Sequence, residues 1–164
     1  MRSGRLLRNR GLWYGAFAAA VLTGSLGLFG YNVLSTIGPG AADPTDPRQV
    51  ERGRAVYADA CALCHGKNLE GQPNWRVPRP SGDYPAPPHD RDGHTWHHPD
   101  RVLFRITKHG GQAEAPPGFK SGMPGFGNAL SDADILAVLA YIKSRWPEDI
   151  RTRQAEVSRR SRGQ

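Results

Sequence analysis

Cysteine is nearly missing from this 164-residue chain: Cys61 and Cys64 are its only two. One close pair is no framework, so a disulfide-stapled scaffold is excluded. Methionine is as scarce. Apart from Met1 there is Met123 alone, and any chemistry that needs a thioether must use it. Apolar residues, with tyrosine counted and glycine left aside, make up 38%. In addition, 20 glycines and 14 prolines interrupt the chain. That composition leaves no material for a large packed core, a barrel enzyme or a full doubly wound dinucleotide-binding fold. The length suits one domain of ordinary size, or a small domain with appendages.

The net charge of +7 belongs to the ends. Residues 1–10 carry four Arg and no acid, and residues 151–164 carry five Arg and one Glu. Residues 43–150, with 13 basic and 14 acidic side chains, are nearly neutral. A nucleic-acid binder concentrates basic residues on its folded domain beside a recognisable motif. No such motif is present, so no nucleic-acid partner is expected.

Charge is also missing from residues 11–42, where the apolar heart runs 26 residues from Leu12 to Ile37. A bilayer core needs about 20 helical residues, whereas the apolar region of a cleaved signal peptide has about 7–15. The length favours a retained anchor, although Gly40-Ala41-Ala42 is also suited to cleavage before Asp43. Arg2, Arg5, Arg8 and Arg10 precede the span, and no basic residue follows until Arg48. The positive-inside rule then places residues 1–10 in the cytoplasm and the chain beyond about residue 38 outside. The expected organisation is a basic end (1–10), a transmembrane signal-anchor (11–37), a linker (38–45), a folded domain (46–146) and a basic C-terminal tail (147–164).

The folded domain reads as all-α with long irregular loops. Asp46-Pro47 is an N-cap and first helical residue, opening a helix to about Ala60 with Val50, Gly53, Val56 and Tyr57 on one face. Seven prolines between residues 73 and 99 exclude a helix or a central strand there. A second helix opens at Pro99-Asp100, turns Val102, Leu103 and Ile106 inward, and stops at Gly110-Gly111. Ser131 caps a third, which runs from Asp132 to about Trp146 with Ile135, Leu136, Val138, Leu139 and Ile142 as its apolar stripe. No convincing strand is visible. After Pro147 the tail is expected to be a solvated, frayed terminus. A weak helical face of Ile150, Gln154 and Val157 leaves open a contact with anionic lipid or an acidic partner.

Cys61-Ala62-Leu63-Cys64-His65 is C-x-x-C-H, the attachment signature of c-type haem. Two thiols one helical turn apart match the two vinyl groups on one porphyrin edge, and the adjacent histidine supplies an imidazole to the iron. A zinc site joining Cys61 and Cys64 to His94 and His98 has suitable local spacings. Its 29-residue gap is, however, far longer than the about 12–15 residues of a finger. A thioredoxin-like pair needs a preceding strand, and here a helix precedes; a structural disulfide is the remaining alternative. Met123, in the loop Gly122-Met123-Pro124-Gly125-Phe126, lies 58 residues after His65. A methionine is often core filler, but a lone one in a tight Gly/Pro loop fills a core poorly. It is the candidate sixth ligand of the iron.

The order of helix, C-x-x-C-H, irregular loop, helix, G-M-P-G-F loop and Ser-capped helix ending Val138-Leu139-Ala140-Tyr141-Ile142 resembles the class I monohaem cytochrome c family, in its bacterial membrane-anchored form. The resemblance covers about residues 46–146. It implies a crossing of the first and last helices at Gly53 and Tyr57 with Val138 and Tyr141. It also implies one covalent haem c, held by Cys61 and Cys64 and ligated by His65 and Met123. A proline carbonyl is implied as the acceptor from the ligating histidine, with Pro73 the closest match and Pro78 and Pro80 as rivals. Residues 76–99 depart from the short forms of the family. Their His89, His94, His97 and His98 suit copper or zinc by ligand type. Trp96 and Arg101 suit haem propionates.

Two strong protein ligands leave an iron no open position. The expected function is therefore single-electron transfer rather than enzymatic turnover, with no small-molecule substrate. Expected partners are respiratory haem or copper proteins on the same bacterial inner membrane, with the haem domain on the periplasmic side. A fixed electron-transfer subunit of a dehydrogenase or oxidase is the main alternative. A haem sensor or peroxidase-like enzyme requires the open position that Met123 would close. A carbonate-washed membrane fraction should retain the protein, and protease added from the periplasmic side should digest the chain beyond about residue 38. Recovery of a soluble form beginning at Asp43 would show instead that the span is cleaved.

Overall fold

The computed structural model describes residues 40–162. The expected basic end (1–10) and membrane span (11–37) lie outside the described residues. Among the described residues no helix is long and apolar enough to cross a membrane. Five helices carry the domain: α1 (Pro47–Ala60), α2 (Ala62–His65), α3 (Asp100–His109), α4 (Asp132–Ser144) and α5 (Glu148–Ser161). Two short 3₁₀ turns, Thr95–His97 and Gly111–Glu114, lie on either side of α3.

Local chemistry sets the helix ends. The Asp46 carboxylate accepts from the Arg48 N–H at 2.9 Å, with Pro47 beginning α1. Gly110, at φ +92°, ends α3 in a conformation that L side chains rarely adopt. Ser131 and Asp134 form a reciprocal capping box at the start of α4: the Ser131 hydroxyl accepts from the Asp134 N–H at 3.1 Å, and the Asp134 carboxylate accepts from the Ser131 N–H. That helix ends at Ser144, two residues before the expected Trp146.

α4 is apolar nearly all round and is therefore interior, as its burial from Ile135 to Ala140 shows. α1 crosses it at Gly53, where any Cβ would overlap the Ala137 carbonyl, and Tyr57 packs on Tyr141 with ring centroids 5.4 Å apart. The expected crossing is thus present. On one side of α4, Leu136 and Leu139 pack with Ala42 and Leu103. On the other, Val138 and Ile142 pack with Tyr57, Leu69, Trp146 and Ile150. α3 buries Leu103 and Thr107, with Val102 and Ile106 only half-buried.

Two expectations are corrected. A pair of strands is present, β1 (Asp83–Tyr84) parallel to β2 (Lys120–Ser121), with Asp83 opposite Lys120 and Tyr84 opposite Ser121. At two residues each they are too short for any periodicity to reveal. The segment after Pro147 is no frayed tail: α5 is a packed helix that buries Ile150, Gln154 and Ser158. The Ser158 hydroxyl accepts from the Asp100 N–H at 2.9 Å, and the Gln154 amide donates to the Asp100 carboxylate at 2.7 Å. The same carboxylate receives Lys143, whose ammonium lies 3.0–3.1 Å from its two oxygens and 2.9 Å from the Ala42 carbonyl. These partners satisfy an otherwise costly buried cation.

Removing residues 148–162 would strip Ile150 from the core and leave the Asp100 N–H and carboxylate at the start of α3 without their α5 partners. With about 1.5–3 kcal/mol for a buried Ile side chain and about 1–3 kcal/mol for each orphaned polar group, the truncated protein should lose roughly 3–5 kcal/mol of stability. Thermal denaturation should show a clear drop in midpoint; an unchanged midpoint would mean that α5 contributes nothing to the fold.

Candidate haem-attachment site

α1 runs almost without a break into the attachment turn. The Cys61 N–H donates to the Tyr57 carbonyl at 3.0 Å, and the Cys64 and His65 N–H groups donate to the Cys61 carbonyl at 3.1 and 2.9 Å. One turn of helix therefore carries both thiols and the imidazole. Cys61 is half-buried against the cluster around Tyr57, Cys64 is exposed, and Leu63 between them is 94% exposed. Burial, with Cys64 nearby, pushes the Cys61 thiol up to about 11.

His65 is 7% exposed. Its Nδ1 lies 2.8 Å from the Pro87 carbonyl. A carbonyl only accepts, so the proton sits on Nδ1 and the lone pair on Nε2 is free for a metal. Burial lowers the His65 pKa, and the Pro87 carbonyl opposes this. The expected acceptors are corrected here: neither Pro73 nor its rivals Pro78 and Pro80 receives this bond. Pro87 lies 22 residues after His65, and the local Gly-Gln-Pro-Asn pattern that singled out Pro73 does not mark it.

Local backbone geometry brings Pro87 back over His65. The chain turns at Leu69 and Gly71, both at positive φ, and a Cβ on Gly71 would strike the backbone of Pro87 and Pro88. Beside this turn the Gln72 N–H donates to the Ala86 carbonyl at 2.9 Å and the His89 N–H to the Leu69 carbonyl at 2.7 Å. The Tyr57 hydroxyl closes the turn from below, donating to the Gly66 carbonyl at 2.8 Å.

Met123 stands on a separate loop and is half-buried. Its carbonyl accepts from the Gly111 N–H at 3.0 Å, and its own N–H donates to the Ser121 hydroxyl at 3.2 Å. The Phe126 N–H donates to the Thr107 carbonyl at 3.0 Å, so the loop is laid against the end of α3. Cys61, Cys64 and His65 are thus grouped by one helical turn, and Met123 is fixed independently of them.

The histidine-rich stretch divides in two. His89 lies against the attachment turn, its imidazole kept well below its ordinary pKa by burial and by His65. His94 approaches His97 and His98 at ring-centroid distances of 5.4 and 4.8 Å. Among the described residues, however, no three His, Cys, Asp or Glu side chains are gathered so as to hold a metal ion. The Trp96 indole N–H, expected to serve a propionate, donates to the Arg91 carbonyl at 3.0 Å.

The donor set fits a covalently attached haem: two accessible or half-accessible thiols on one turn and a neutral imidazole whose free nitrogen is fixed by a carbonyl. Residues 50–146 match the family described as Cytochrome c. The chain belongs to the cytochrome c family, and its cofactor is haem c, joined through Cys61 and Cys64. It is also similar to a thiosulfate dehydrogenase of Stutzerimonas stutzeri (strain A1501), 33% identical over 129 residues. That match takes in 74% of this chain but only 37% of the relative's length. No solved structure matches.

Burial holds the His98 pKa below 6.5, reinforced by His94 and His97. A depressed histidine contributes stability that is complete above its unfolded pKa and is lost as pH falls through the folded one. The thermal midpoint should therefore hold near pH 7 and fall as pH drops below about 6.5. His98→Gln should flatten that fall, and an unchanged slope would assign the acid sensitivity elsewhere.

Proposed function

We propose that this protein is a membrane-anchored electron carrier that passes single electrons between respiratory partners, with His65 and Met123 as the two axial ligands of its haem. The observation that carries this reading is the tethered, buried His65: its imidazole is neutral and oriented before any metal is considered. The Met123 loop, pinned on both sides by backbone hydrogen bonds, supports a fixed second ligand. When bound, haem c takes up and gives back one electron, and His/Met ligation raises its potential. The protein's part is to hold both donors still, so that the same ligand set serves both oxidation states, and to fill the positions at which a substrate would bind.

The uncharged span of residues 11–42 supports a single-pass anchor in a bacterial inner membrane, and the four Arg before it support a periplasmic haem domain. Anchoring would confine the domain near haem or copper proteins of the same membrane and raise its effective concentration there. The similarity to a protein named as a dehydrogenase favours a second reading, in which this chain is the fixed electron-accepting part of such an enzyme. Copurification with a catalytic subunit separates the two.

Met123→Ala tests the ligand assignment. The variant should bind carbon monoxide in the reduced state, and its midpoint potential should fall by on the order of 0.2 V, within the roughly 0.8 V range that axial ligands command. A variant that excludes carbon monoxide and keeps its potential would remove Met123 from the iron.

A further inference from the structure

We propose that His89 is a positioning residue for the axial imidazole: its ring lies against the face of His65 and fixes the plane in which His65 meets the iron. The proposal rests on His65 being an axial ligand. The two rings are stacked, with centroids 4.0 Å apart and planes 21° from parallel. The hydrogen bond from His65 Nδ1 to Pro87 acts at the edge of the ring. It sets the direction of the N–H but leaves the ring free to tilt about that line. A flat neighbour on the ring face removes the remaining freedom, so the two contacts are complementary.

His89 is itself held from several sides. Its N–H donates to the Leu69 carbonyl at 2.7 Å, and its carbonyl accepts from the Trp146 indole N–H at 2.7 Å. Its Nδ1 and the hydroxyl of the buried Thr95 form a hydrogen bond of 2.6 Å. Tyr57 approaches edge-on, with centroids 6.4 Å apart and planes at 74°. The ring that braces His65 thus meets Tyr57 of α1 and Thr95 of the 3₁₀ turn, while its backbone is held by Leu69 and by Trp146 just beyond α4. Both backbone bonds survive any side-chain substitution at residue 89.

The orientation of an axial imidazole is read from the haem methyl resonances of the ferric protein, whose spread follows the imidazole plane and narrows when the ring tilts or averages. His89→Leu keeps bulk but removes the flat ring, and its spread should narrow. His89→Phe restores a flat ring without its bond to Thr95, and should bring the spread back to about that of the Thr95→Val protein, well above that of His89→Leu. Thr95→Val leaves the imidazole in place but frees it to turn, and should narrow the spread in part. Wild-type spread in His89→Leu would overturn the proposal, as would a His89→Phe protein that narrows as much as His89→Leu. Should His89→Leu fail to hold haem, an unchanged spread in Thr95→Val overturns it. A His65→Ala protein with an unaltered haem spectrum would overturn the ligand assignment and the proposal together. Unchanged His89 variants with His65 ligation intact would overturn the proposal alone.

Discussion

For the Nδ1–H of His65 to reach the carbonyl of Pro87 at 2.8 Å, the chain must return over a residue 22 positions earlier. Much of the surrounding structure serves that return. Leu69 and Gly71 adopt positive φ, Gly71 admits the Pro87-Pro88 backbone at close range, and two backbone hydrogen bonds run alongside. Gly93 is needed in the same way, since a Cβ there would overlap the Pro88 carbonyl. A proline-rich segment suits the task. Its φ angles are fixed in advance, so presenting a carbonyl at one place costs little further conformational entropy.

The crossing of α1 and α4 provides the base on which this loop rests. Without a side chain at Gly53 the two backbones approach closely, and Tyr57, one turn later, reaches both Tyr141 and the Gly66 carbonyl. Tyr57 therefore connects the helix crossing directly to the attachment turn. A shift in the crossing would move Gly66 and, through it, the neighbouring His65. Packing and site geometry are coupled through this one side chain, whose hydroxyl burial keeps protonated well above its ordinary range.

Features carried by neighbouring residues were legible in the sequence. The Asp46-Pro47 start, the Ser131 cap, the Gly110-Gly111 stop and the C-x-x-C-H turn each act over a few positions, and each lies where the sequence indicated. The acceptor for His65 was not legible, because a long loop separates donor from acceptor and any of several prolines satisfied the pattern. The stack of His89 on His65 was hidden for the same reason. The packing of α5, whose helical face the sequence did offer, escaped for a different one: of its buried residues Ile150, Gln154 and Ser158, two are polar. A face of that kind carries little hydrophobic periodicity, and its burial makes sense only once Asp100 is seen to receive it.

The bonds from Asp100 to Gln154 and Ser158 also make the clasp on α3 a contact that only the end of the chain can complete. They join the start of α3 to residues synthesised long after the attachment turn. Until the chain has been made through Ser158, the cluster that backs Cys61 lacks Ile150 and the clasp on α3 stays open. The two thiols are thus complete in the growing chain long before the residues of α5 that close the domain. Ile150 is thus the last of the residues backing Cys61 to be added to the chain.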